Sequence, residues 1–97
     1  VCENIVYNEL QIKGYDVYTG KTKKGEINFV ATKPNKQIYI QVAYTLVDEN
    51  TKNREFNAYN YINDNYPKYV ISLDKLNYEY NGIKHINLID FLLDDDF

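Results

Sequence analysis

One stretch, GEINFVATKPNKQIYIQVAY over residues 25–44, constrains the fold more than any other part of the chain. Ile27, Phe29 and Ala31 alternate with Glu26, Asn28, Val30 and Thr32. After Pro34 and Asn35 the alternation resumes, with Ile38, Ile40 and Val42 set against Gln37, Tyr39, Gln41 and Ala43. Successive side chains of a strand point to opposite faces, and Pro-Asn is turn chemistry. The stretch is therefore predicted to be a hairpin. Symmetric pairing about its turn sets Asn28 opposite Gln41, Ile27 opposite Val42 and Glu26 opposite Ala43. Opposed Cβ atoms on one face lie ~5 Å apart. Glu26, Asn28, Gln41 and Ala43 thus form one patch, and the aliphatic row forms the other face.

The remaining chain supplies a frame for that hairpin. ENIVYNELQIK, residues 3–13, has helical spacing and ends at Gly14, a suitable terminator. YDVYTG reads as a short strand ending at Gly20, followed by the polar turn KTKKG. Residues 48–63 read as a second helix, with Asp48 and Glu49 favourably placed at its positive end and Phe56, Tyr59 and Ile62 as its buried stripe. Pro67 introduces the strand KYVISL, whose adjacent Val70 and Ile71 suggest burial on both faces. Asn81-Gly82 signals a type I′ hairpin, and LIDFLL closes the chain as a short helix. The order predicts one α/β domain over residues 1–97, with helices flanking a mixed central sheet.

Composition narrows the class. With 44% hydrophobic and 26% charged residues in 97, the chain falls with ordinary folded domains. Its apolar runs fall far short of the ~20 residues that span a bilayer, so no membrane partner is expected. One cysteine, Cys2, can form neither an internal disulfide nor a cysteine metal cluster, which fits a reducing cytoplasm. The absence of Met and the abrupt helical start suggest a segment of a longer protein. A net charge of −3 and an acidic end at Asp94, Asp95 and Asp96 argue against a uniformly basic nucleic-acid binder. A local basic face remains open through Lys21, Lys23, Lys24, Lys33 and Lys36.

The stretches ENIVYNEL, KGYDVYTGK, GEINFVA, IYIQVAY, DENTKNREF, NYPKYVISLD and GIKHINLIDFLL, in this order, resemble the PD-(D/E)XK nuclease superfamily. More narrowly, the chain is similar to a C-terminal domain of unknown function found on bacterial and archaeal AAA-type ATPases. The resemblance implies a restriction-endonuclease-like fold, a cytoplasmic location and an N-terminal ATPase domain in the same chain, with this segment as the C-terminal part. In active members a helix glutamate, a strand Asp and a Glu-x-Lys hold and exploit a divalent metal, for which oxygen ligands suit Mg²⁺. Those positions correspond to Glu9, Asn28, Gln41 and Ala43, with Glu26 beside them as a substitute carboxylate. Two negative charges and the lysine are gone. The resemblance thus implies a degenerate site without metal or cofactor, and Mg²⁺ enters only if nuclease activity survives.

Three readings follow: a degenerate module acting through protein or nucleic-acid contacts, an active metal-dependent DNA nuclease using Glu9 and Glu26, and an oligomerisation or docking surface using Tyr39 and Tyr44. The residues also have plainer roles. Asn28 and Gln41 can hydrogen-bond each other, His85 can be a surface or packed residue, and Asp94 to Asp96 can be a frayed end.

Overall fold

Gly14, at φ +96°, ends the first helix where a side chain would be strained. Cys2, Val6 and Leu10 form that helix's buried stripe. The computed structural model describes residues 2–23 and 25–97; Lys24, one of the predicted basic contacts, lies outside the described residues. The elements are α1 (Cys2–Ile12), β1 (Asp16–Thr22), β2 (Gly25–Lys33), β3 (Lys36–Val42), α2 (Glu49–Asn57), a 3₁₀ turn (Ala58–Tyr61), β4 (Lys68–Ser72), β5 (Tyr78–Tyr80), β6 (Ile83–Asn87) and α3 (Leu88–Leu93).

The strands form one six-stranded mixed sheet in the order β1-β2-β3-β4-β6-β5. β3, β4 and β6 run parallel to one another, while the flanking hairpins are antiparallel. On one face, Ile38, Ile40, Val42 and Ile71 pack with Val6 and Leu10 of α1 and Phe91 of α3. On the other, Tyr39, Val70 and Ile83 pack with Phe56 of α2 and Tyr59 of the 3₁₀ turn. Val70 and Ile71 are therefore buried on opposite faces, as their adjacency predicts. This helix–sheet–helix architecture is the expected α/β class and is compatible with a restriction-endonuclease-like fold. No helix among the described residues is long and apolar enough to cross a membrane.

The central hairpin keeps the predicted register from Lys33–Lys36 to Phe29–Ile40. Its turn places Asn35 at φ +66° after Pro34, as a type II turn requires. Beyond Phe29 the ladder stops, and the expected pairs Ile27–Val42 and Glu26–Ala43 do not form. A β-bulge is the physical reason. Tyr18 faces Val30 but Gly20 faces Ile27, so β2 carries one extra residue where β1 advances by two. The extra residue inverts the alternation and turns Ile27 toward α2, away from Phe29 and Ala31.

Three further expectations are corrected. β1 continues through Gly20 to Thr22, because its pairing with β2 resumes beyond the bulge. The second helix gives way to a 3₁₀ turn after Asn57, where two Asn and two Tyr offer poor helix propensity. Its N-cap is Asp48, whose carboxylate accepts from the Asn50 N–H at 3.2 Å. The acidic end is pinned, not frayed. The Phe97 ring lies 4.9 Å from those of both Tyr69 and Phe91, and Lys13 Nζ donates to the Asp94 carbonyl at 2.8 Å.

Candidate functional site

Where the β2–β3 ladder stops, two carboxamides replace it. The Asn28 N–H donates to Gln41 Oε1 at 2.6 Å, and the Val42 N–H donates to Asn28 Oδ1 at 2.9 Å. Each side chain thus bridges to the opposite strand's backbone, in place of the direct Asn28–Gln41 side-chain bond expected from sequence. The substitution keeps buried peptide groups satisfied while the strands diverge. Gln41 is 4% exposed, and its Nε2 donates onward to Glu55 Oε1 at 3.2 Å.

Above this bridge lies a cavity of about 440 Å³. Asn28, Gln41, Glu55 and Asn57 supply its polar surface, Tyr61 contributes an aromatic wall, and Thr22, Gly25, Glu26, Arg54 and Ala58 complete the lining. Two carboxylates face one guanidinium, so the lining is formally negative. The Glu55 side chain is only 13% exposed and sits 3.8 Å from Arg54 Nε. Burial raises its carboxyl above the ordinary value of 4.5; Arg54 opposes that shift and Glu3 of α1 adds to it.

The structure brings together Glu26, Asn28 and Gln41 but not the other two predicted site residues. Glu9 pairs with Lys13 at 3.0 Å and is not part of the cavity lining. Ala43 packs against the α2-side core and donates its N–H to the Ile71 carbonyl at 3.0 Å. Among the lysines, Lys21 and Lys23 are exposed and neighbour the cavity-lining Thr22 in the chain, but neither is part of the lining. Lys33 lies 4.3 Å from the Tyr15 ring centroid, and Lys36 donates to the Phe97 carbonyl at 2.7 Å, both at the far end of the hairpin.

Glu55, Arg54 and Asn57 were not among the residues the sequence suggested. Glu55 had a readable signal: it sits four residues before Tyr59 and next to Phe56, a carboxylate inside an apolar helical stripe. Tyr39, suggested as a docking residue, is 9% exposed and donates to Asp64 Oδ2 at 2.6 Å. Burial and that carboxylate push its hydroxyl up to about 12.

A divalent metal does not fit this arrangement. The acceptor oxygens of Asn28 and Gln41 are engaged by backbone N–H groups, and Ala43 offers no ligand. Among the described residues, no group of three His, Cys, Asp or Glu is placed to hold a metal ion. A second hollow of about 700 Å³ lies beside Val47, Asp74 and Leu76 and contains none of the predicted residues.

No family model matches the chain. An uncharacterized protein of Haemophilus influenzae is 40% identical over 92 residues, covering 94% of this chain and 22% of that protein. The chain therefore spans about a fifth of the length of that relative.

Proposed function

We propose that this domain is a non-cleaving, nuclease-like module of a larger ATPase-containing protein, and that it grips a nucleic-acid strand at the cavity beside Asn28 and Gln41. The observation that carries this reading is the engagement of both carboxamides by the backbone at the positions where active nucleases hold metal. Metal-activated water needs carboxylate oxygens free to coordinate. Here the corresponding oxygens hold two diverging strands together. The exposed Arg54 in the lining, with Lys21 and Lys23 exposed on the neighbouring strand end, supplies positive charge in a chain that is acidic overall. A cytoplasmic location accompanies this reading.

Two measurements on the purified chain test it. Single- and double-stranded DNA incubated with Mg²⁺ or Mn²⁺ is expected to remain uncut. Cleavage that disappears in Glu55→Gln would overturn the reading in favour of an active nuclease. Strand binding is expected to weaken steeply with salt, through a small number of phosphate contacts. Binding that ignores salt would count against phosphate contacts by Lys21, Lys23 and Arg54.

A further inference from the structure

Parallel neighbouring strands deliver their following loops to one end of a sheet. β3 and β4 are such a pair, so residues 43–48 and 73–77 emerge side by side. These two loops expose four large apolar side chains, Tyr44, Val47, Leu73 and Leu76, with Val47 at 85% and Leu76 at 78%. Single exposed apolar residues are ordinary, but several on adjacent loops make a patch that marks an interaction site. The loops are also stiff. The Leu73 N–H donates to the Tyr44 carbonyl at 3.0 Å, and Asp74 accepts from the Thr45 hydroxyl and the Leu46 N–H. Asn87 Nδ2 donates to the Asp74 carbonyl at 3.0 Å. The apolar side chains are thus held in place before any partner arrives, which lowers the cost of docking.

The patch holds a knob, a hollow and both signs of charge. Val47 and Leu76 border the hollow of about 700 Å³, whose lining also includes the buried Leu46 and the half-buried Tyr78. Glu49 and Lys75 line the same hollow, are exposed, and form no ion pair among the described residues. Lys52 is instead directed at the rings of Tyr78 and Tyr80, at 5.6 and 5.0 Å from their centroids. A nucleic acid would meet repulsion at Glu49, and a uniformly basic partner would meet it at Lys75. A second copy of the chain meets neither. A two-fold rotation brings knob to hollow and Glu49 to the opposite Lys75. Such self-complementarity is what an isologous interface requires.

We propose that this loop face is a two-fold interface between copies of this chain, with Leu76 seated in the hollow of the second copy and Glu49 facing its Lys75. The hollow shares no lining residue with the cavity beside Asn28, so the interface stands apart from the strand-binding reading. A contact built from two loops belongs to the weak, transient class of association.

Sedimentation equilibrium of the full chain between about 5 and 500 µM tests it, a span suited to weak association. The mean mass is expected to rise from one chain toward two. Leu76→Asp is expected to hold it at one chain throughout. Glu49→Lys and Lys75→Glu are each expected to weaken association about fivefold, because like charges then meet across the axis. Mixing these two single variants is expected to restore it, since each supplies the charge the other needs. All three side chains are exposed, so each variant is expected to keep the parent's urea midpoint; were Leu76→Asp to lose it, the mixture still decides. A chain that stays monomeric at every concentration overturns the proposal. Association that survives Leu76→Asp, or a mixture no tighter than its components, assigns the contact to another face and overturns it too. Loss of the dimer on adding an oligonucleotide overturns the second copy as occupant and gives the face to nucleic acid.

Discussion

Two polar networks sit on the same face of the sheet, and they solve one problem in different ways. At the β2–β3 divergence, Asn28, Gln41 and Glu55 border a cavity and keep free donor and acceptor capacity. At the end of β4, Ser72 forms a network with Asp74 and with His85 of β6, in which Ser72 and His85 are each 1% exposed. Ser72 Oγ lies 2.6 Å from His85 Nε2 and 3.0 Å from Asp74 Oδ2. Asp74 also accepts from the Thr45 hydroxyl and the Leu46 N–H, each at 2.7 Å. His85 Nδ1 lies 2.7 Å from the Leu76 carbonyl, which only accepts, so that nitrogen carries the proton. The residue types invite comparison with a hydrolase triad, but the order is wrong: serine sits between the His and the Asp, and it is sealed from substrate. The sealed network fixes the 72–76 loop, while the open one leaves hydrogen bonds for a ligand.

The sharpest way to break this contrast is to delete the centre of the sealed network. His85→Ala removes a buried ring that packs 4.8 Å from Tyr78 and leaves the Leu76 carbonyl and Ser72 short of a partner. Cavity formation and an unsatisfied buried group together are expected to cost about 3–4 kcal/mol. The shift of a urea unfolding midpoint at constant slope measures it. A loss below about 1 kcal/mol would show that the network is not sealed.

The bulge that opens the cavity gives the next effect. A Cβ at Gly20 would meet Val30 Cγ2 at 2.8 Å and Ile27 Cβ at 3.1 Å, because the bulge turns both side chains toward the same face. Gly20→Ala is expected to destabilise by about 1–3 kcal/mol through overpacking. Asn28→Ala follows at about 1–2 kcal/mol, since the Val42 N–H loses its acceptor but water from the cavity can reach it. Both are read by the same urea titration. If Asn28→Ala costs as much as His85→Ala, the two networks do not differ in the way their burial indicates.

These residues also show what the sequence could reveal. Alternation, the Pro34-Asn35 and Asn81-Gly82 turns and the adjacent Val70-Ile71 pair made the order of elements along the chain and the mixed sheet legible, because those signals are local. The bulge was not legible. An extra residue leaves Ile27 and Phe29 looking like one apolar row, and only the partner strand reveals the inversion. The candidate site was half legible for the same reason. Asn28 and Gln41 share a hairpin, whereas Glu55 and Tyr61 reach the cavity through tertiary packing of α2 and the 3₁₀ turn. Glu9 read as the helix carboxylate of the site, but its i,i+4 partner Lys13 holds it elsewhere, and Glu3 is the α1 charge that Glu55 feels.

The smallest effect separates the two networks by the sign of their pH dependence. Burial pulls the His85 imidazole below its ordinary 6.5, against the opposing influence of the Leu76 carbonyl and the Asp74 charge. On acidification the unfolded chain therefore binds that proton first. The stability is present above pH 6.5 and is lost as pH falls through the folded-state value. Glu55 has the opposite sign: its folded carboxyl lies above 4.5, so its contribution is present below 4.5 and is lost as pH rises through the folded value. As pH falls from 6.5 toward 4.5 the two therefore oppose each other. His85→Asn is expected to reduce the loss of stability on acidification, and Glu55→Gln to steepen it. Urea midpoints at pH 7 and 4.5 for the two variants check both signs. Slopes that move together would mean that the cavity is as closed to water as the network around His85.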